Sequence, residues 1–108
     1  MSDEQKKIDV YESRRFAKAL AKLPESQLQQ VEDQIDLIIS EPAIGVQKKG
    51  DLSYLWVHKF KVDAQQVLLG YSWIENRLEL YLLSLGSHEN FYQGMKKQRG
   101  HDLKLFDS

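Results

Sequence analysis

His88 and Tyr92 stand four residues apart, directly after the apolar run L-Y-L-L-S-L-G of Leu80–Gly86. The run is short, unbroken and closed by a turn former, which is the pattern of a buried strand. Ser87 has N-cap chemistry, and Glu89 and Asn90 suit a first turn, so a helix is expected to start here. At i and i+4 an imidazole and a phenol share one helix face. At the end of a core strand such a pair reads either as an acid–base pair or as a packed aromatic corner.

Lys59 and Lys61 are the next candidates. Alternation along Tyr54–Val62 puts Trp56, His58, Phe60 and Val62 on one face and Val57, Lys59 and Lys61 on the other. Two ammonium groups on one strand face repel slightly and gain nothing from burial. They are solvated decoration or they face an anion. Lys96, Lys97 and Arg99 follow Tyr92 by one to two turns, and Lys48-Lys49 lies in an earlier loop. These cations suit backbone phosphates; K-K-Q-R equally suits the negative pole of a helix end. His58 falls between apolar neighbours and reads as a hydrogen-bonded core residue.

The totals set limits. At 108 residues and 42% apolar content the chain is one domain with a real core. It has no Cys, which excludes thiol catalysis, disulfides and Cys-based zinc sites. His58, His88 and His101 lack metal-ligand spacing, and no metal or cofactor is expected. No apolar run approaches membrane-spanning length and no signal-peptide pattern opens the chain, so a cytoplasmic protein without membrane partners is expected. The net charge of −1 argues against coating nucleic acid by charge alone. Residues 1–45 hold six basic and nine acidic side chains and residues 46–108 nine and seven, so the second half is mildly basic.

These groups must be positioned by the rest. Residues 1–7 and 100–108 read as flexible tails, the second with some capacity to dock through Leu103, Leu105 and Phe106. Ile8–Tyr11 alternates like a short strand. Glu12–Leu23 is helical, with an apolar stripe of Phe16, Leu20 and Leu23 and a basic stripe of Arg15, Lys18 and Lys22. Pro24 opens a second helix, Glu25–Ser40, which Glu41-Pro42 ends. Ala43–Ser53 is a loop. Strands follow at Tyr54–Val62, Gln65–Ile74 and Leu78–Leu85, joined by Asp63-Ala64 and Glu75-Asn76-Arg77, which implies an antiparallel meander. The fold class is α+β: an N-terminal strand, a helical hairpin on a mainly antiparallel sheet, and a short helix near Phe91–Arg99. The hairpin covers the aromatic-rich sheet face. The other face is expected to be open, displaying Lys59 and Lys61, with Gly70 allowing close approach of a ligand.

In this order the elements resemble the RelE/ParE superfamily of bacterial type II toxins over residues 8–98. The most specific parts are G-D-L-S-Y-L-W-V-H-K-F-K-V (Gly50–Val62), Gly70-Tyr71 and L-L-S-L-G-S-H-E-N-F-Y (Leu82–Tyr92). The resemblance implies a RelE-like fold and a cognate antitoxin protein that wraps the toxin. For the nuclease branch it implies cleavage of mRNA on the ribosome; for the ParE branch it implies inhibition of DNA gyrase without nuclease chemistry. A degenerate toxin that serves only as an antitoxin partner is the third possibility. Lys59 and Lys61 match the paired strand lysines of RelE-like nucleases, His88 the late His of YafQ-like members, and Tyr92 their C-terminal aromatic. Leu68 stands where RelE-like members carry an Arg, and two further His and Asp positions of YafQ-like members have no clear match.

The implied chemistry is metal-independent endoribonuclease action. A 2′-hydroxyl is deprotonated and aligned with phosphorus, the phosphate charge is stabilised, and the 5′-oxygen is protonated. Imidazole titrates near ~6.5 and suits the proton transfer, a contribution of roughly 10²–10⁴-fold. His88 is assigned as general acid and Lys59 or Lys61 as base or electrostatic anchor. Tyr92 is assigned to stack on a base or to position a proton, and Lys48, Lys49, Lys96, Lys97 and Arg99 to bind RNA. An antitoxin covering the lysines is expected to be acidic.

Overall fold

Strand β1 (Asp9–Glu12) leads into helix α1 (Arg14–Ala21) through Ser13. The Ser13 hydroxyl accepts from the Phe16 amide at 3.1 Å and donates to the Leu83 carbonyl at 2.7 Å. One side chain therefore satisfies an orphan helix donor and ties the helix to the sheet. Helix α2 (Glu25–Ser40) begins after Pro24 and stops before Pro42, as the prolines require. The computed structural model describes residues 7–106. Of the tails expected at 1–7 and 100–108, residues 1–6 and 107–108 lie outside that range.

The sheet continues with β2 (Val46–Gln47), β3 (Trp56–Val62), β4 (Gln65–Ile74) and β5 (Glu79–Gly86). Its order is β1-β5-β4-β3-β2, with β1 parallel to β5 and every other pair antiparallel. The meander is as expected from the short connections; the two-residue β2, inside a stretch expected to be loop, is additional. Helices α1 and α2 cover one face, where Phe16, Ile38, Leu69, Tyr71, Leu80 and Leu82 form a buried core. His58 lies on this face, stacked on Phe60, with its Nε2 at 2.7 Å from the Gln34 side-chain oxygen. Burial holds its pKa below the usual histidine value.

The second face is not open. Helices α3 (His88–Lys97) and α4 (Arg99–Phe106) lie over it, and Leu55, Val57, Leu68, Leu83, Phe91 and Met95 form a second core. The space over Leu68 and Gly70 is taken by the protein itself, because packing Phe91 and Met95 there removes their apolar surface from water. The segment from Gly100 to Phe106, expected as a tail, is part of α4. The Arg15 guanidinium holds the Asp102 carboxylate through two bonds of 2.9 and 2.8 Å. Phe106 meets the rings of Tyr81 and Tyr54 at 4.9 and 5.9 Å, and Arg77 donates to its carbonyl. Arg15 is thus withdrawn from the expected basic stripe on α1. Burial and the Asp102 carboxylate push Tyr54 up to about 12, against the pull of Arg15 and Arg99. No helix among the described residues is long and apolar enough to cross a membrane.

Three outcomes follow from this packing. Asp63 and Ala64 turn the β3–β4 hairpin with φ of 50° and 70°, the left-handed pair of a type I′ turn. Ala64→Gly relieves the second residue and is expected to raise stability by about 0.5–1 kcal/mol, read as a higher urea midpoint at unchanged slope. His58 binds its proton less readily folded than unfolded, so stability is full above the unfolded value near 6.5 and falls as pH drops below it, until the folded group is itself protonated. Urea midpoints between pH 7 and 5 are expected to show this decline in the native chain and a flatter profile in His58→Gln. Arg15→Leu strands a carboxylate that is 1% exposed. The expected cost is ~3 kcal/mol, below the top of the range for buried pairs because Arg15 is partly solvated, with hydrogen exchange accelerating in α4 before the sheet.

Candidate active site

Helix α3 starts two residues after β5 ends, with Ser87 at the N-cap position as expected, although its hydroxyl makes no capping bond. Phe91 and Met95 point into the core and fix the rotation of the helix. His88 and Tyr92 then share one flank. Their rings lie 6.1 Å apart at 77°, and Tyr92 meets Phe91 at 5.2 Å and 84°. His88 is exposed and Tyr92 half-buried.

Lys48 reaches this flank from the loop before β3, its ammonium 5.1 Å from the centre of the Tyr92 ring. The root of the side chain is pinned by the Lys48 amide, which donates to the Leu55 carbonyl at 2.8 Å. The loop itself is clamped from the other side of the sheet. The fully buried Tyr71 hydroxyl donates to the Pro42 carbonyl at 2.6 Å and accepts from the Gly45 amide at 3.0 Å. Burial raises the Tyr71 pKa and the Gly45 bond opposes the rise. A Cβ at Gly45 would meet that hydroxyl at 2.7 Å and the Val57 carbonyl at 2.9 Å, so only glycine permits the approach. No pattern in the sequence marks Tyr71 or Gly45 as holding this loop.

Lys59 and Lys61 project from β3 on the face that carries α3. Lys59 is paired with Leu68, and Leu68 with Gly86, so a cross-strand row about 10 Å wide leads from Lys59 to the chain entering α3. Lys48 and Lys59 line one hollow of about 340 Å³ with Gly45, Val46, Val57 and His58, where β2 stops and the edge of β3 begins. Both β3 lysines are exposed, and among the described residues neither has an ion pair. Lys96 continues the His88–Tyr92 flank one turn on and is exposed, as is Lys49.

Two expected members stand apart. Lys97 lines a different groove with Arg15, Ser87 and Gln98, and Arg99 donates to the Asp51 carbonyl at 2.7 Å, bracing the helix end against the loop. Leu68 is fully buried, so no cation from that position of β4 joins the group. This surface therefore carries an imidazole, a phenol and several ammonium groups that form no ion pair among the described residues, a set with the means to hold a phosphodiester and move its protons.

With this geometry in hand, comparison with known structures is informative. The toxin–antitoxin complex RelBE of E. coli superposes with a TM-score of 0.62 at 19% identity, covering 77% of this chain and 99% of that one. The YoeB/ParE toxin of Agrobacterium tumefaciens gives 0.60 at 14% identity, covering 75% and 99%. The archaeal RelE–RelB complex of Pyrococcus horikoshii gives 0.55 at 19%, covering 76% and 96%. At such identities these likenesses establish a RelE-like fold. No curated protein sequence matches the chain. The family model for ParE-like toxins of type II bacterial toxin–antitoxin systems matches residues 10–96, most of the chain. The chain belongs to the ParE-like toxin family of type II bacterial toxin–antitoxin systems, within the RelE/ParE superfamily.

Proposed function

We propose that the chain is a toxin that cleaves mRNA on the ribosome by metal-independent endoribonuclease chemistry and so stops translation. The observation that carries this reading is the flank of α3: His88 and Tyr92 with Lys48 over the ring, on the sheet face that also carries β3 lysines with no ion pair among the described residues. In this scheme one of Lys59 and Lys61, as the neutral amine, takes the proton from the 2′-hydroxyl, and the other, as the ammonium, stabilises the phosphate charge as the 2′-oxygen bonds to phosphorus. The bond from phosphorus to the 5′-oxygen breaks, and His88 returns a proton to that oxygen. Tyr92 stacks on a splayed base. Lys48, Lys49 and Lys96 hold neighbouring phosphates; Lys97 and Arg99 are outside the scheme because their side chains are directed elsewhere.

A cognate antitoxin is part of the proposal, supported by relatives solved as RelBE and RelE–RelB complexes. Beyond β2 the outer edge of β3 has no partner strand among the described residues, and it carries Lys59 and Lys61. An acidic extended segment pairing there would mask both lysines. The expected open sheet face is not available for this, since α3 and α4 occupy it.

A second reading, inhibition of DNA gyrase without chemistry, is favoured by the ParE-like description of the family and by Leu68 in place of an Arg. Mapping of transcript ends after brief induction, with and without ribosomes, separates the two. His88→Ala is expected to lower the cleavage rate about 10²–10⁴-fold, and Tyr92→Ala to raise KM about tenfold through lost stacking. A His88→Ala/Tyr92→Ala double variant that still cuts ribosome-bound message at the native rate would sink the assignment. Gyrase-linked DNA breaks without shortened transcripts would establish the second reading instead.

A further inference from the structure

Phe91 and His88 both meet Tyr92 nearly at right angles, so neither lies flat on the ring. What stands over the ring is the Lys48 ammonium. We infer that Lys48 is a displaceable cap on a nucleobase slot: its ammonium covers Tyr92 until an unpaired base of single-stranded RNA takes the ring, and it then binds the phosphate next to that base. This deepens the RNA-cleaving reading of the site and rests on it.

The relative strengths set the direction. An ammonium over a tyrosine ring at a partly solvated site is worth about two- to fivefold in an equilibrium. A base stacked on the same ring is worth about fivefold or more. The base therefore displaces the cation. Only the head of Lys48 needs to move, because its amide is held by Leu55 and its loop by the Tyr71 clamp on Pro42 and Gly45. The four-carbon stem keeps the released charge beside the slot, and no carboxylate among the described residues competes for it. The result is a preference for a base with a charged phosphate attached: the base alone must uncover the ring at a cost, while the charged strand regains the ammonium as a phosphate contact.

The test uses a tetranucleotide with 2-aminopurine at the splayed position and 2′-deoxyribose at the cleavage position. It is made once with phosphodiester linkages and once with uncharged methylphosphonate linkages, and quenching of the 2-aminopurine reports stacking. Lys48→Met is expected to bind the uncharged strand two- to fivefold tighter than the native chain does. The same variant is expected to bind the charged strand severalfold weaker, with the slope of log affinity against log salt reduced by about 0.7, and Lys48→Arg restores that slope. Equal weakening of both strands, no change in either, or no measurable binding of the uncharged strand would overturn the cap. Tyr92→Ala separates the two levels: native-like binding and quenching in that variant would remove the base-stacking role of Tyr92 itself, whatever Lys48 does.

Discussion

The contact on which the site depends is the seating of Phe91 over Gly70. A Cβ at position 70 would lie 2.8 Å from the tip of the Phe91 ring and 3.1 Å from Leu55. A glycine inside a strand weakens the strand. Here that weakness is offset by the burial of a phenylalanine, worth about 1.5–3 kcal/mol. Any side chain at position 70 would lift α3, and with it both His88 and Tyr92, because the inward pair Phe91 and Met95 sets the rotation of the whole helix. The missing side chain makes room for the helix that carries the candidate chemistry.

A second tie comes from the opposite face. Tyr71 belongs to the core under α1 and α2, yet its hydroxyl reaches the loop that carries Lys48. A buried hydroxyl needs partners, and the Pro42 carbonyl and the Gly45 amide supply them. Packing on the helical-hairpin side is thereby coupled to the placement of a cation on the α3 side. The sheet connects the two layers as well as separating them.

The distribution of charge follows the same logic of local satisfaction. The Asp63 carboxylate accepts from Gln30 and Gln27, both at 3.0 Å, which lowers its pKa and leaves it turned to α2. Asp102 is taken by Arg15. Glu32, Asp33 and Asp36 lie on exposed turns of α2, the helix that covers the other sheet face. A net charge of −1 thus coexists with a lysine-bearing surface that has no acid paired to it among the described residues, since a total carries no information on where its members sit.

What was legible from the amino-acid order was local. The prolines bounded α2, the alternation in β3 assigned its faces, Asp63-Ala64 marked a hairpin, and Gly86-Ser87 marked the change from β5 to α3. Each is decided by neighbours within a few residues, through backbone sterics and the periods of strand and helix. Tertiary structure decided the rest. Arg99–Phe106 has almost no amphipathic signal and is a docked helix because Arg15 holds Asp102 from 87 residues away. The second sheet face closed because Phe91 and Met95 had to bury their surface somewhere, and Lys48 came to rest on Tyr92 because a tyrosine from the far side of the sheet holds its loop. Spacing along a chain does not encode such contacts. They arise when folded elements compete for the same apolar surface and buried polar atoms must find partners.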